Sequence, residues 1–167
     1  LLALRFASAV HRLQRYGDDP YVYHCVRVAS HFVDPEARVV ALLHDTLEDA
    51  GKFARLTVAQ GIWHQFGPEV AEAVQALTRG GGETYSAYIE RIARRESPLV
   101  LAVKMADVED NLRHVLADIK AGRHQEKWGL LGRYSVTRSG LWLARRVRIR
   151  ATARLENPDR MTGAGAC

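Results

Sequence analysis

Ala37-Arg38-Val39-Val40-Ala41-Leu42-Leu43-His44-Asp45-Thr46-Leu47-Glu48-Asp49 is a mostly apolar run that ends in His44, Asp45, Glu48 and Asp49, all ionisable. Asp34 and Pro35 before it supply an N-cap and a first-turn proline, and Gly51 ends it. It reads as one helix lying in a core. Charges set behind a buried run are costly unless they are paired or hold a cation. His44 and Glu48 are four residues apart, as are Asp45 and Asp49, so each pair shares a face one turn apart. His44 and Asp45 point about 100° apart on a helix. Both reach one ion only if it lies between their directions and other helices complete its shell.

The flanking sequence is helical in both directions. Leu2, Phe6, Ala9, Val10 and Leu13 recur at helical spacing, Gly17 to Pro20 break the chain, and a second helix is predicted over about 21–33. Thr57 is expected to cap a short helix ending near Phe66, with Gly67 and Pro68 starting the next. Gly80, Gly81 and Gly82 read as a flexible link, 83–95 as a helix, and Ser97-Pro98 as the start of another carrying Met105, Val108, Leu112, Val115, Leu116 and Ile119. An Arg-rich helix follows over about 125–155, which Gly129, Gly132 and Gly140 weaken and can break. No clear period-two alternation occurs, so no significant sheet is expected. There are no repeats.

Two of these helices offer further ligands. His24 sits one turn into the second helix. Asp107 follows Val103-Lys104-Met105-Ala106, again an acid behind an apolar run, with Asn111 four residues on. Two imidazoles and two carboxylates form a mixed nitrogen and oxygen set, suited to Mn, Fe, Zn or Co more than to Ca or Mg. With four protein ligands, two octahedral positions stay open.

The order His24, then His44-Asp45, then Asp107 resembles the HD superfamily of metal-dependent phosphohydrolases. A closer likeness runs through Pro20-Tyr21-Val22-Tyr23-His24, the segment Ala41–Asp49, Phe66-Gly67-Pro68-Glu69-Val70, Leu77-Thr78, and Val103–Asp107 with Asn111. These stretches are similar to the hydrolase domain of RelA/SpoT alarmone enzymes and of small alarmone hydrolases, over roughly residues 4–145. The resemblance implies an all-α, single-domain HD-type bundle of about seven to nine helices over 1–155, with a flexible tail at 156–167. It implies hydrolysis of the 3′-pyrophosphate of ppGpp or pppGpp, one divalent metal (Mn2+ first, then Fe2+, Co2+ or Zn2+) on His24, His44, Asp45 and Asp107, and catalysis by Glu48 and Asp49. Asn111, Arg15 and Tyr134 fall where the family contacts its nucleotide. The family's basic cluster before the Pro-Tyr motif is reduced here to Gln14-Arg15-Tyr16-Gly17-Asp18-Asp19, about one residue shorter. Another nucleotide or phosphoester is therefore the alternative substrate.

The net charge of +5 is uneven. Residues 1–120 carry 14 Lys and Arg against 16 Asp and Glu, whereas 121–167 carry 10 against 3. That basic end raises a reading of another class, a non-catalytic nucleic-acid or regulatory module on an HD scaffold. No stacking aromatics alternate with the arginines and no groove-reading motif appears, so nucleic acid is not the expected partner. Arg145, Arg146, Arg148, Arg150 and Arg154 read as a solvated face, and Trp63, Trp128 and Trp142 as core or packing rather than base-stacking platforms. His11, His31, His64, His114 and His124 are not expected to be ligands, which favours one metal over two. Lys104 reads as the counter-charge of Asp107 or Asp49. Cys25 and Cys167 form no disulfide framework, no run of about 18 apolar residues appears, and Leu1–Val10 reads as a helix rather than a signal peptide. The expectation is a cytoplasmic, hydrolysis-only protein with a small nucleotide or phosphoester substrate and no membrane partner; homo-oligomerisation is left open.

Overall fold

The computed structural model describes residues 1–95, 97–123 and 128–156, and only the backbone of 52–53 and 147–156. In chain order these form α1 (Leu2–Val10), β1 (Arg15–Tyr16), β2 (Asp19–Pro20), α2 (Val22–Ala29), α3 (Pro35–Leu43), α4 (Thr46–Asp49), α5 (Gly51–Phe66), α6 (Pro68–Leu77), α7 (Tyr85–Arg94), α8 (Pro98–Lys120) and α9 (Trp128–Glu156). The fold is all-α apart from the antiparallel β1–β2 ribbon, which pairs Arg15 with Pro20 and Tyr16 with Asp19. Gly17 turns that ribbon at φ 63°, and a Cβ there would meet the His114 ring at 2.9 Å. The expected tail from 157 onward, and the start of the last helix at 125–127, lie outside the described residues.

α8 is the axis of the bundle and packs against α2, α3, α6, α7 and α9. Ser97 caps it, its Oγ accepting from the Val100 amide at 3.3 Å, and Pro98 opens its first turn. Val100, Leu101, Val103, Val108, Leu112 and Val115 are buried, but so are Lys104, Asp107, Asp110 and Asp118. Leu43, Val40, Val28, Ile62, Val74 and Leu77 complete the core from the other helices. Asp34 caps α3, its carboxylate accepting from the Ala37 amide at 2.7 Å.

The helix predicted over 37–49 is interrupted. α3 stops at Leu43, His44 and Asp45 form a turn, and α4 is a separate turn of helix. Side chains replace the missing backbone bonds: His44 Nδ1 donates to the Ala41 carbonyl at 2.8 Å, and Thr46 Oγ1 donates to the Leu43 carbonyl at 2.6 Å. Gly51, at φ 70°, then redirects the chain into α5. Thr57 lies inside α5 and caps nothing, because that helix starts at Gly51. The glycines of α9 do not break it; Trp128–Glu156 is continuous. The second helix ends at Ala29, four residues early, and Leu13 lies beyond α1, largely exposed. Trp63, Trp128 and Trp142 are each about half exposed rather than core.

The 83–95 segment starts its helix late because Glu83 is used otherwise. Thr84 caps α7, while the Glu83 carboxylate accepts from Arg91 Nε at 2.8 Å and from the Gly80 amide at 3.0 Å. Arg91 also donates to the carbonyls of Ala76 and Thr78. The α6–α7 connection is thereby clasped to the helix that follows it. Arg91 first, then the Gly80 amide, hold the Glu83 carboxyl down to about 2. A carboxyl depressed in the fold stabilises it above the unfolded pKa of about 4.3, and that contribution fades as pH falls toward 2. Glu83→Gln is expected to lower Tm at pH 5 and above, with the gap to the parent closing as pH falls from 4 to 2, measured by thermal melts across that range.

Candidate metal centre

His24 on α2, the His44-Asp45 turn and Asp107 on α8 bring their side chains to one point. His24 Nε2 lies 3.3 Å from Asp107 Oδ1 and 3.7 Å from Asp45 Oδ2. His44 Nε2 lies 2.9 Å from Asp45 Oδ2 and 3.7 Å from Asp107 Oδ1. His24, His44 and Asp45 form a group whose ligand atoms all lie within 4.8 Å of one another. Both imidazoles are about 98% buried or more. Their Nδ1 atoms face acceptors, Asp110 Oδ2 at 2.7 Å for His24 and the Ala41 carbonyl at 2.8 Å for His44. A carboxylate or carbonyl only accepts, so both Nδ1 atoms carry hydrogen and both Nε2 atoms turn to the shared centre. There His44 Nε2 is buried with no hydrogen-bond partner.

These spacings fit an ion. Ligands at about 2.1 Å from an octahedral metal lie about 3.0 Å apart when adjacent and about 4.2 Å apart when opposite. The electrostatics agree. Burial alone would lower the proton affinity of both rings, but the carboxylates of Asp107, Asp110 and Asp45 around its ring carry His24 up to about 11, and the charge of Asp45 carries His44 to about 9. Against the upward push of burial, His44 holds Asp45 and Lys104 holds Asp107 well below the carboxylate range. The centre calls for positive charge, which protons or a metal ion satisfy.

The remaining candidates take different places. Glu48 Oε2 accepts from the Arg79 amide at 3.1 Å, with Arg79 Nε 3.9 Å from Oε1. Asp49 Oδ2 lies 3.5 Å from His11 Nδ1, and burial, then Asp45 and Glu48, push its carboxyl up to about 6. Asn111 is already engaged: its amide donates to Asp107 Oδ1 and its carbonyl accepts from the Tyr16 hydroxyl at 2.7 Å. Tyr134 is half-buried against the core, and burial raises its phenol. Arg15 is exposed and donates to the Asp18 carbonyl within its own ribbon. Lys104 pairs with Asp107, Nζ to Oδ2 at 2.6 Å. A cleft of about 890 Å3 lies between α5, α6 and the α6–α7 connection, and none of His24, His44, Asp45 or Asp107 lines it.

Sequence reasoning passed over four contributors. Tyr21 donates to Asp45 Oδ2 at 2.7 Å, Tyr16 stacks on His24 with centroids 4.8 Å apart, and Asp110 and Arg27 stand behind His24. His11 packs its ring on Tyr21 and faces Asp49. Tyr21 was visible inside the Pro-Tyr stretch; Asp110, three residues after Asp107, was the available signal for the support of His24.

An all-helical bundle that sets an adjacent His-Asp pair against a distant His and a distant Asp defines a histidine–aspartate domain with a site for a cation. The family model described as HD domain matches residues 3–127, and the chain belongs to that family. It is 34% identical over 124 residues to the guanosine-3′,5′-bis(diphosphate) 3′-pyrophosphohydrolase of Aquifex aeolicus, covering 66% of this chain and 17% of that protein. It is 30% identical over 137 residues to the guanosine-3′,5′-bis(diphosphate) 3′-pyrophosphohydrolase MESH1 of Drosophila melanogaster, covering 74% of this chain and 73% of that protein. A solved structure described as a metazoan ortholog of SpoT that hydrolyzes ppGpp superimposes with a TM-score of 0.65 at 26% identity, covering 84% of this chain and 83% of that one. The chain spans about a sixth of the length of the first curated relatives it matches. Among the described residues no helix is long and apolar enough to cross a membrane.

Lys104 Nζ lies 2.6 Å from Asp107 Oδ2, and removing one partner of a buried pair costs about 3–5 kcal/mol. Lys104→Met is expected to lower the unfolding free energy by about that amount in chelator-treated protein, read by urea denaturation; a loss under 1 kcal/mol would show that the pair adds little.

Proposed function

We propose that the chain is a metal-dependent phosphohydrolase that removes the 3′-pyrophosphate of guanosine-3′,5′-bis(diphosphate) in the cytoplasm. His24, His44, Asp45 and Asp107 hold one divalent ion, Mn2+ ahead of Fe2+, Co2+ or Zn2+. The observation that carries this is the bare, buried Nε2 of His44, facing two carboxylates and a second imidazole at ligand spacing. The substrate comes from what the Aquifex and Drosophila relatives are named for. Bound there, the ion would supply Lewis acidity toward the phosphate and acidify a water.

The chain's own residues do the rest. Asp49, at the rim beside His11, takes the proton of the attacking water, and Glu48, pinned by the Arg79 amide, orients that water. Tyr21 fixes the Asp45 carboxylate by its hydroxyl. Asn111, Tyr134 and Arg15 serve the nucleotide; Asn111 reaches it by exchanging its bond to Tyr16.

A second reading, hydrolysis of another nucleotide or phosphoester, is favoured by one specific observation. Tyr16 occupies Asn111, and Asp18 in the turn and Asp19 at the start of β2 lie exposed where a basic cluster would meet phosphate. A substrate panel separates the two readings.

Mn2+-dependent release of pyrophosphate from ppGpp is expected, and no turnover with Mn2+ present would sink the first reading. His44→Ala and Asp107→Asn are each expected to lose stoichiometric metal by elemental analysis. Glu48→Gln and Asp49→Asn are expected to keep the metal while kcat falls about 10²–10⁴-fold; either variant retaining parental kcat would remove that residue from catalysis.

A further inference from the structure

Resting on the metal-dependent reading above, we infer that Asp110 is a positioning residue that fixes His24 as a ligand, with Arg27 as its counter-charge. Asp110 is buried, with only 4% of its surface exposed. Its Oδ2 lies 2.7 Å from His24 Nδ1, and its Oδ1 accepts from Arg27 Nε at 2.8 Å; Arg27 Nη2 reaches Oδ2 at 3.1 Å. Three residues earlier on the same helix, Asp107 Oδ1 lies 3.3 Å from His24 Nε2. One turn of α8 thus grips both ring nitrogens, Asp107 on the side of the centre and Asp110 on the far side. The ring plane is set as well, since Tyr16 stacks on it at 27° and Arg27 lies 5.5 Å over the Tyr16 ring.

The two imidazoles are supported unequally. His44 donates its Nδ1 hydrogen to a neutral carbonyl, whereas His24 donates to a buried carboxylate. A carboxylate partner fixes the tautomer and makes the opposite nitrogen a stronger donor to a metal, and removing such a partner typically weakens affinity 10–100-fold. A buried carboxylate is costly unless paired, and Arg27 supplies the pairing from a partly exposed position. Asp110 is therefore assigned to ligand orientation rather than to substrate or to the ion itself.

The test is Mn2+ and Co2+ titration of the parent, Asp110→Asn and Asp110→Ala, with His24 followed by ¹⁵N NMR in the Zn2+-loaded chain. Asp110→Asn keeps an acceptor without its charge and is expected to weaken affinity several-fold. Asp110→Ala removes both, with an expected loss of 10–100-fold and disappearance of the protected His24 Nδ1 proton. Parental affinity in folded Asp110→Ala, even with a lowered Tm, overturns the assignment. Should that variant not fold, parental affinity and an unchanged His24 signal in Asp110→Asn overturn it. A parent chain that takes up neither ion overturns the metal reading, and this assignment with it.

Discussion

The point where α2, α8 and the His44-Asp45 turn meet gathers buried carboxylates whose charge has to be balanced inside the protein. Two carboxylates face two imidazoles there, and Lys104 pairs with only one carboxylate. Ionised groups out of water are tolerated only when compensated. Each helix around the centre therefore contributes either an acid or a means of balancing one. Arg27 answers Asp110, Lys104 answers Asp107, and the imidazoles answer Asp45.

The turn at His44-Asp45 makes that arrangement feasible. On an unbroken helix the two neighbours would diverge, with an ion confined to the edge between them. Ending α3 at Leu43 frees both side chains to converge, and the backbone groups left behind are satisfied by His44 Nδ1 and Thr46 Oγ1. His44 thus has two jobs, closing the end of its own helix with one nitrogen and facing the centre with the other. The same economy appears in Thr46, whose hydroxyl is wholly inside the protein.

Most of the helical frame was legible in the sequence, because apolar periodicity and the Asp34-Pro35, Gly67-Pro68 and Ser97-Pro98 starts act locally. The residues gathered at the centre were legible too, since acids and histidines placed directly behind apolar runs have few places to go. What stayed hidden depends on partners distant in sequence or on side chains substituting for backbone. The α3–α4 break rests on two side-chain bonds that leave no periodic trace. Asp110 meets His24 across 86 positions, and Tyr16 meets Asn111 across 95. Thr57 had the right chemistry for a cap, but Gly51 had already begun the helix around it. The tryptophans are not core residues, each being about half exposed, although Trp142 still packs against Arg146.

The buried Asp107 carboxylate is shared among four partners: Lys104 holds one oxygen, and Asn111, His24 and His44 crowd the other. Residues in one such network do not contribute independently. Substitutions at 104, 111 and 24 will therefore combine non-additively, each altering what the others are worth, and a double-mutant cycle around this carboxylate measures a collective property that no single replacement reports.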